Sequence, residues 1–304
     1  LGIGREEGTA VARQGQVWVE AARPRTLPAS AAPVLVGTAA GAVDGGLVWT
    51  RFLLALVVAV SVQVAVNYAN DYFDGVRGID TVTRAGPRRA VASGIVAPKR
   101  MLAAVFVAIA LAAAAGVALA AMVSWWLLLV GLGSFVALLG YSGGPRPYAS
   151  AGLGEIFVFV FFGLVATAGS AYVQHRHIPA AGWVAAVATG LLAVAILVVN
   201  NLRDVPTDAV AGKRTLAVRI GESRTRALFV GLVGLGLLLA VVGVPLAARS
   251  AWPLLALLAV PLAREPIDAV RQGGVGRALI PALGGVGRLE LAVAVLLAAG
   301  LLLS

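Results

Sequence analysis

Apolar residues in this chain run in long blocks separated by short polar or basic links, and nine blocks approach the length of a membrane-crossing helix. A bilayer core takes roughly 20 residues of apolar helix, and only helices or closed barrels satisfy their backbone groups there. The blocks fall at 27–43, 52–70, 101–121, 124–141, 154–173, 180–200, 228–247, 251–267 and 282–303. The eighth is the weakest, because Pro253, Pro261 and Pro266 interrupt it. Blocks of this length predict an all-α membrane protein, a bundle of nine transmembrane helices rather than a barrel.

Residues 71–100 and 202–226 depart from this rhythm as long polar connections, and long loops in compact domains are usually functional. Between them they hold Asp71, Asp74, Asp80, Asp204 and Asp208. Gln63, Asn67, Asn70, Asp71 and Asp74 recur at helical spacing, so they form one polar stripe where the second helix leaves the membrane. Asp80 lies beyond Gly75 and Gly78, where that helix is expected to have ended. The stretch VNNLRDVPTDAVAGKRTLAVRIG at 199–221 repeats the arrangement with Asn200, Asp204 and Asp208, and Asn201 stands beside them. Pro206 is expected to kink or end the sixth helix between the two aspartates.

Composition agrees with the membrane reading. Only 12% of residues are charged and mean hydropathy is +0.93, whereas a soluble globule carries about 25% charge. A net charge of +10 would point to nucleic acid in a soluble protein, but here the charge follows topology. With the N-terminus in the cytoplasm, all of the 24 Lys and Arg fall in the tail or the cytoplasmic connections, except Arg51, Arg176, Arg249 and the intrahelical Arg288. That asymmetry puts the C-terminus on the far side and removes the case for a nucleic-acid partner. The absence of cysteine excludes a disulfide framework and a thiolate nucleophile. Residues 1–16 lack an apolar core, so they read as a flexible cytoplasmic tail before a single domain at 17–304.

Carboxylates and asparagine amides without nearby Cys or His supply hard oxygen donors, which suit Mg²⁺. Mg²⁺ prefers one or two carboxylates, waters and substrate phosphate oxygens, so a phosphorylated substrate is implied. Two facing clusters would hold two or more ions across a diphosphate, with Arg84, Arg88, Arg89, Lys213 and Arg214 taking the remaining charge. The residues alone leave two other readings open. One is a solvated, self-neutralising loop pair. The other is a cation-coupled transporter using Asp71, Asp74, Asp204 and Asp208, although such sites usually lie near the bilayer midplane.

NDYFDGVRGID at 70–80 and the stretch at 199–221 resemble the two aspartate-rich motifs of the UbiA superfamily of intramembrane aromatic prenyltransferases. ARPRTLPASAAPVLVG at 22–37, RAGPRRAVASG at 84–94 and YSGGPRPYASAGLGEIFVFVFFGLVATAGSAYVQ at 141–174 resemble its 1,4-dihydroxy-2-naphthoate polyprenyltransferase branch. The interval from Asp74 to Asp80 is also that of the naphthoate branch. Many members carry a Tyr-x-x-x-Lys motif after the fourth helix, whereas here Tyr141 is followed by Pro145 and Arg146.

The resemblance implies a UbiA-type bundle of nine helices around a central cavity, closed by cytoplasmic cap loops after the second and sixth helices. It implies metal and catalytic roles for Asp71, Asp74, Asp80, Asp204 and Asp208, with Asn70 as a further metal ligand. Substrate contacts would come from Arg23, Arg25, Asn67, Arg84, Arg89, Tyr141, Arg146, Tyr148, Asn201, Lys213 and Arg214, with Arg23 or Arg25 taking the acceptor's carboxylate. The implied partners are polyprenyl diphosphate, 1,4-dihydroxy-2-naphthoate and membrane lipid, with no obligate protein partner, and the implied product is a demethylmenaquinol for menaquinone synthesis. A 4-hydroxybenzoate-type acceptor is the alternative, and a bacterial cell (inner) membrane the expected location. Glu155 reads either as a catalytic acid or as a carboxylate complementing a helix dipole. His175 and His177 fall far from both acidic stretches, and Arg288 and Glu290 have no evident role.

Overall fold

A computed structural model describes residues 15–78 and 89–304, and all regular structure among them is helical. Asp80, Arg84 and Arg88 lie outside the described residues. In chain order the elements are α1 (15–22), α2 (Pro28–Ala42), α3 (Trp49–Val76), α4 (Pro98–Met122), α5 (Leu127–Ser142) and α6 (Gly154–His175). There follow α7 (Ala180–Val210), the short α8 (Leu216–Ile220), α9 (Glu222–Ala248), α10 (252–271) and α11 (Gly276–Leu302).

Six of these, α3, α4, α6, α7, α9 and α11, are long and apolar enough to cross a membrane, and α5 is a shorter apolar helix. Burial ranks them by position. The apolar window of α7 is 72% buried and that of α11 is 61%, against 28% in α3 and α4, so α7 and α11 form the inner core. Phe106, Val107 and Leu111 on α4 and Leu129 and Val136 on α5 point outward. An apolar exterior of this kind suits contact with lipid.

Small residues bring the central helices together. A Cβ on Gly37 of α2 would stand 2.0 Å from the Thr167 carbonyl oxygen of α6, and one on Gly163 of α6 would stand 2.6 Å from the Cα of Gly190 in α7. Such close backbone approach is the usual device for packing helices in lipid, where apolar burial alone supplies no drive. Within α6, Phe159–Ala168 is wound as a π-helix, and Leu239–Gly243 does the same in α9. Neither widening was expected from the sequence.

Two expectations about proline resolve differently. Pro206 neither ends nor interrupts α7, which continues to Val210 and carries both Asp204 and Asp208. A proline costs the helix the bond to the carbonyl four residues earlier, here that of Leu202, and the helical winding carries on for about one turn beyond it. In α10 the prolines do alter the helix: Trp252–Ala263, with Pro261 inside, is a 3₁₀ helix, and α-helical winding begins only at Arg264.

Candidate active site

A cavity of about 430 Å³ lies between α2, α3, α4, α5, α6 and α7. Its polar end is formed by Arg23, Gln63, Asn67, Asn70, Tyr141 and Asn200, and the rest of its wall is almost wholly aliphatic and aromatic. Val117 on α4 and Leu128 and Leu132 on α5 line the cavity yet are 48%, 39% and 60% exposed, so it opens sideways between these two helices.

The polar stripe on α3 divides into parts with different partners. Nearest the cavity, Asn67 donates to the Ala22 carbonyl oxygen at 2.7 Å and to Thr26 Oγ1 at 3.2 Å, while Gln63 donates to the same Thr26 oxygen at 3.1 Å. These bonds hold the 22–26 segment against α3. Arg23 in that segment has a left-handed backbone, φ 54°, and lines the cavity, whereas Arg25 is exposed and lies outside the lining. One turn on, Asn70 lines the cavity and accepts a hydrogen bond from Ser142 Oγ.

Asp71 and Asp74 leave α3 in different directions. The two oxygens of buried Asp71 accept the backbone N–H groups of Ala90 and Val91 at 3.0 and 2.9 Å, so this carboxylate fastens the returning chain to the helix. Gly75 permits the approach, since a Cβ there would meet Val91 Cγ1 at 2.7 Å. Asp74 instead receives Lys213 Nζ at 2.8 Å, with Arg89 NH2 at 3.9 Å. Lys213 comes from the second acidic stretch, so this ion pair joins the two motifs.

On α7, Asp204 is gripped at both oxygens by its neighbour Arg203, at 2.7 and 2.6 Å, and both side chains are buried. Asp208 is also buried. The charges of Glu155, Arg23, Asp74 and Asp208 all act on the Tyr141 phenol. Among the described residues no three His, Cys, Asp or Glu side chains already form a metal-binding group.

An aromatic wall borders this pole. Tyr141 meets Tyr148 edge-on at 5.4 Å, Tyr148 stacks on Phe157 at 3.8 Å, and Phe161 continues the stack. Burial raises the Tyr148 phenol above its ordinary pKa, with the Tyr141 charge adding to the effect, and its O–H donates to the Ala137 carbonyl at 2.7 Å. Asn201 lies behind the wall and donates to Glu155 Oε1 at 3.0 Å.

The remaining candidates are scattered. Arg146 and Arg214 are exposed and outside the cavity lining. His175 Nε2 lies 2.7 Å from the Gly46 carbonyl oxygen, fastening the α2–α3 link, and Arg288 pairs with Glu265 at 3.2 Å. Sequence reasoning missed Arg77, which donates to the carbonyls of Ser142 and Gly144 at 2.8 and 2.5 Å and so ties the end of α3 to the segment after α5. It also missed the Thr26–Gln63–Asn67 cluster as a clamp. For Arg77 the only available signal was a lone basic residue at a helix end.

These features define an integral membrane protein of the helical-bundle class, with an apolar chamber ending in a charged pole. The UbiA prenyltransferase family matches residues 30–265, and the chain belongs to that family. A 1,4-dihydroxy-2-naphthoate octaprenyltransferase of Mycobacterium tuberculosis is 47% identical over 270 residues, covering 89% of this chain and 91% of that one. A protein of the same name from Escherichia coli is 40% identical, covering 81% of this chain and 82% of its own. Among solved structures, a UbiA homolog from Aeropyrum pernix K1 shares the fold with a TM-score of 0.66 at 18% identity, over 92% of this chain and 96% of that one. A UbiA homolog from Archaeoglobus fulgidus, bound to GPP and Mg²⁺, gives a TM-score of 0.64 at 17% identity, over 92% of this chain and 99% of that one.

Proposed function

We propose that this protein transfers a polyprenyl group from polyprenyl diphosphate to 1,4-dihydroxy-2-naphthoate with loss of CO₂, giving a demethylmenaquinol for menaquinone synthesis. The observation that carries the reading is the Lys213–Asp74 bridge, which joins both acidic stretches one turn beyond the cavity-lining Asn70. Relatives named for naphthoate octaprenyl transfer at 47% and 40% identity support the acceptor.

The donor set fits Mg²⁺: every candidate atom is a carboxylate or amide oxygen, and Asp74 already accepts two cationic side chains. Asn70, Asp74, Asp204 and Asp208, with Asp80, would hold two or more ions together with the diphosphate, while Asp71 fixes the loop beside them. Bound Mg²⁺ supplies positive charge to the departing diphosphate. Lys213 and Arg89, with Arg84 and Arg214, take the rest of that charge. Arg23, which lines the cavity, would take the acceptor's carboxylate. The aliphatic wall keeps water from the allylic centre, and the Tyr141 and Tyr148 faces favour positive charge there. The prenyl tail runs out through the gap between α4 and α5.

The same reading takes α2, α5 and α10 as crossings besides the six long helices, making nine. It places the acidic loops as cytoplasmic caps, the N-terminus inside and the C-terminus outside a bacterial inner membrane. Residues 17–304 act as one domain without an obligate protein partner.

The test is product formation in lipid nanodiscs from 1,4-dihydroxy-2-naphthoate and a long-chain prenyl diphosphate, with Mg²⁺ or EDTA. A product with the mass of the decarboxylated adduct is expected. EDTA should abolish it, and Asp74→Ala or Asp208→Ala should reduce it about 100-fold or more. A product from 4-hydroxybenzoate and none from the naphthoate would overturn the acceptor; none from any aromatic acceptor would overturn the reaction.

A further inference from the structure

The proposed reaction has a proton to move as well as a diphosphate to release. An aromatic hydroxyl that loses its proton as its ring attacks is a far better carbon nucleophile, and the same oxygen must regain a proton once CO₂ has left. A carboxylate serving this purpose should be near the aromatic wall, buried and free of cations.

Among the described residues the motif aspartates do not meet these conditions. Asp71 is held by two backbone amides, Asp74 by Lys213 and Arg89, and Asp204 by Arg203, while Asp208 is not free either. Glu155 does meet them. It is 7% exposed; Oε1 accepts from Asn201, while Oε2 is buried without a hydrogen-bond partner. Its neighbours belong to the cavity: Asn201 follows the lining Asn200, and a Cβ on Gly154 would lie 3.8 Å from Tyr141 Cε2. Tyr141 lines the cavity, lies in the field of Glu155, and has no hydrogen-bond partner for its hydroxyl among the described residues. An acid that merely complements the first turn of α6 could do so from the surface. Burying one carboxylate oxygen without a donor is costly, and such groups in membrane helices mark function.

We propose that Tyr141 and Glu155 form the proton relay for the acceptor ring, an assignment that rests on the prenyl-transfer reading above. Tyr141 Oη and Glu155 Oε2 are not hydrogen-bonded to each other in this structure, so their contact forms with the acceptor bound: the acceptor hydroxyl then gives its proton to Tyr141 Oη as the Tyr141 proton passes to Glu155. The ring's electron pair forms the new C–C bond at the carbon bearing the carboxylate, and the allylic C–O pair leaves with the diphosphate. The ring oxygen is then a carbonyl. Loss of CO₂ returns the C–C electron pair to the ring, and the carbonyl oxygen takes the proton back through Tyr141. No oxidant, reductant or net proton is needed.

The test uses the full chain in nanodiscs with Glu155→Gln, Tyr141→Phe and the double variant. Gln retains an oxygen for Asn201, and Phe retains the ring. Wild-type protein must first make the decarboxylated adduct; its failure would sink the reaction itself and leave the relay aside. Given that product, each single variant is expected to lose about 100-fold in kcat at pH 7, within the range of general acid–base catalysis. KM for both substrates should stay within about threefold. The deficit should shrink as pH rises and the acceptor ionises unaided, and the double variant should be no slower than the slower single, because both act on one proton. Wild-type kcat in either variant, a deficit constant with pH, a rise in KM alone, or multiplying deficits would each overturn the relay. Should Glu155→Gln not fold, Tyr141→Phe carries the same kcat and pH readouts.

Discussion

Asp71 and Asp74 lie three positions apart on one helix, yet they do different work. Asp71 spends both oxygens on the amides of Ala90 and Val91, and Asp74 spends its charge on Lys213 and Arg89. Asp71→Ala therefore removes two charge-assisted bonds of about 1.5–3 kcal/mol each. Hydrogen exchange at 90–96 should accelerate markedly, with thermal stability falling, while Lys213→Ala should leave 90–96 protected and slow turnover instead. Equal exchange in the two variants would contradict the division. The stripe itself was legible, because helical spacing puts Gln63 through Asp74 on one side. Which oxygen faces a cation and which faces a backbone amide was not, since Ala90 and Val91 carry no polar side chain to announce the contact. Arg23 and Arg25 were indistinguishable in sequence for a similar reason: a left-handed backbone at Arg23 accompanies its place in the lining, and nothing in ARPRTLP encodes that turn locally.

At the scale of elements, α2, α6 and α7 meet through backbone rather than side chains. A Cβ at Gly37 would overlap the Thr167 carbonyl, and one at Gly163 would overlap Gly190. Gly37→Leu is expected to destabilise the folded bundle by about 3 kcal/mol, read as a lower unfolding midpoint in detergent, whereas Gly169→Ala, with nothing within 4 Å of the added atom, should be nearly neutral. A Gly37→Leu protein that melts with wild type would show that α2 and α6 do not pack this way. The long helices were readable from hydropathy because lipid imposes length and apolarity together. Their ends were not: α3 and α7 run past the apolar windows to Val76 and Val210, carried by polar residues that pair with other loops. The π-helical stretch in α6 contains the close approach of Gly163 to Gly190 of α7, a contact that no single window of sequence contains.

Across the whole molecule, the chamber is shaped by six helices and could be expected only through family likeness, since shape arises from packing and not from any motif. Its size can nevertheless be tested. Gly131 lines the cavity with nothing within 4 Å of a built Cβ, so Gly131→Phe can project a ring into the passage between α4 and α5. Under the proposed reaction, kcat/KM for a forty-carbon donor should fall at least about tenfold relative to a ten-carbon donor. An unchanged ratio would place the tail elsewhere. The passage also determines how the donor is counted. A substrate entering sideways from the bilayer is encountered on a surface, so its effective abundance is moles per mole of lipid, not moles per litre. Diluting a fixed amount of donor with inert phospholipid in proteoliposomes should slow a subsaturated reaction in proportion, while adding buffer at constant lipid composition should leave each vesicle's turnover unchanged.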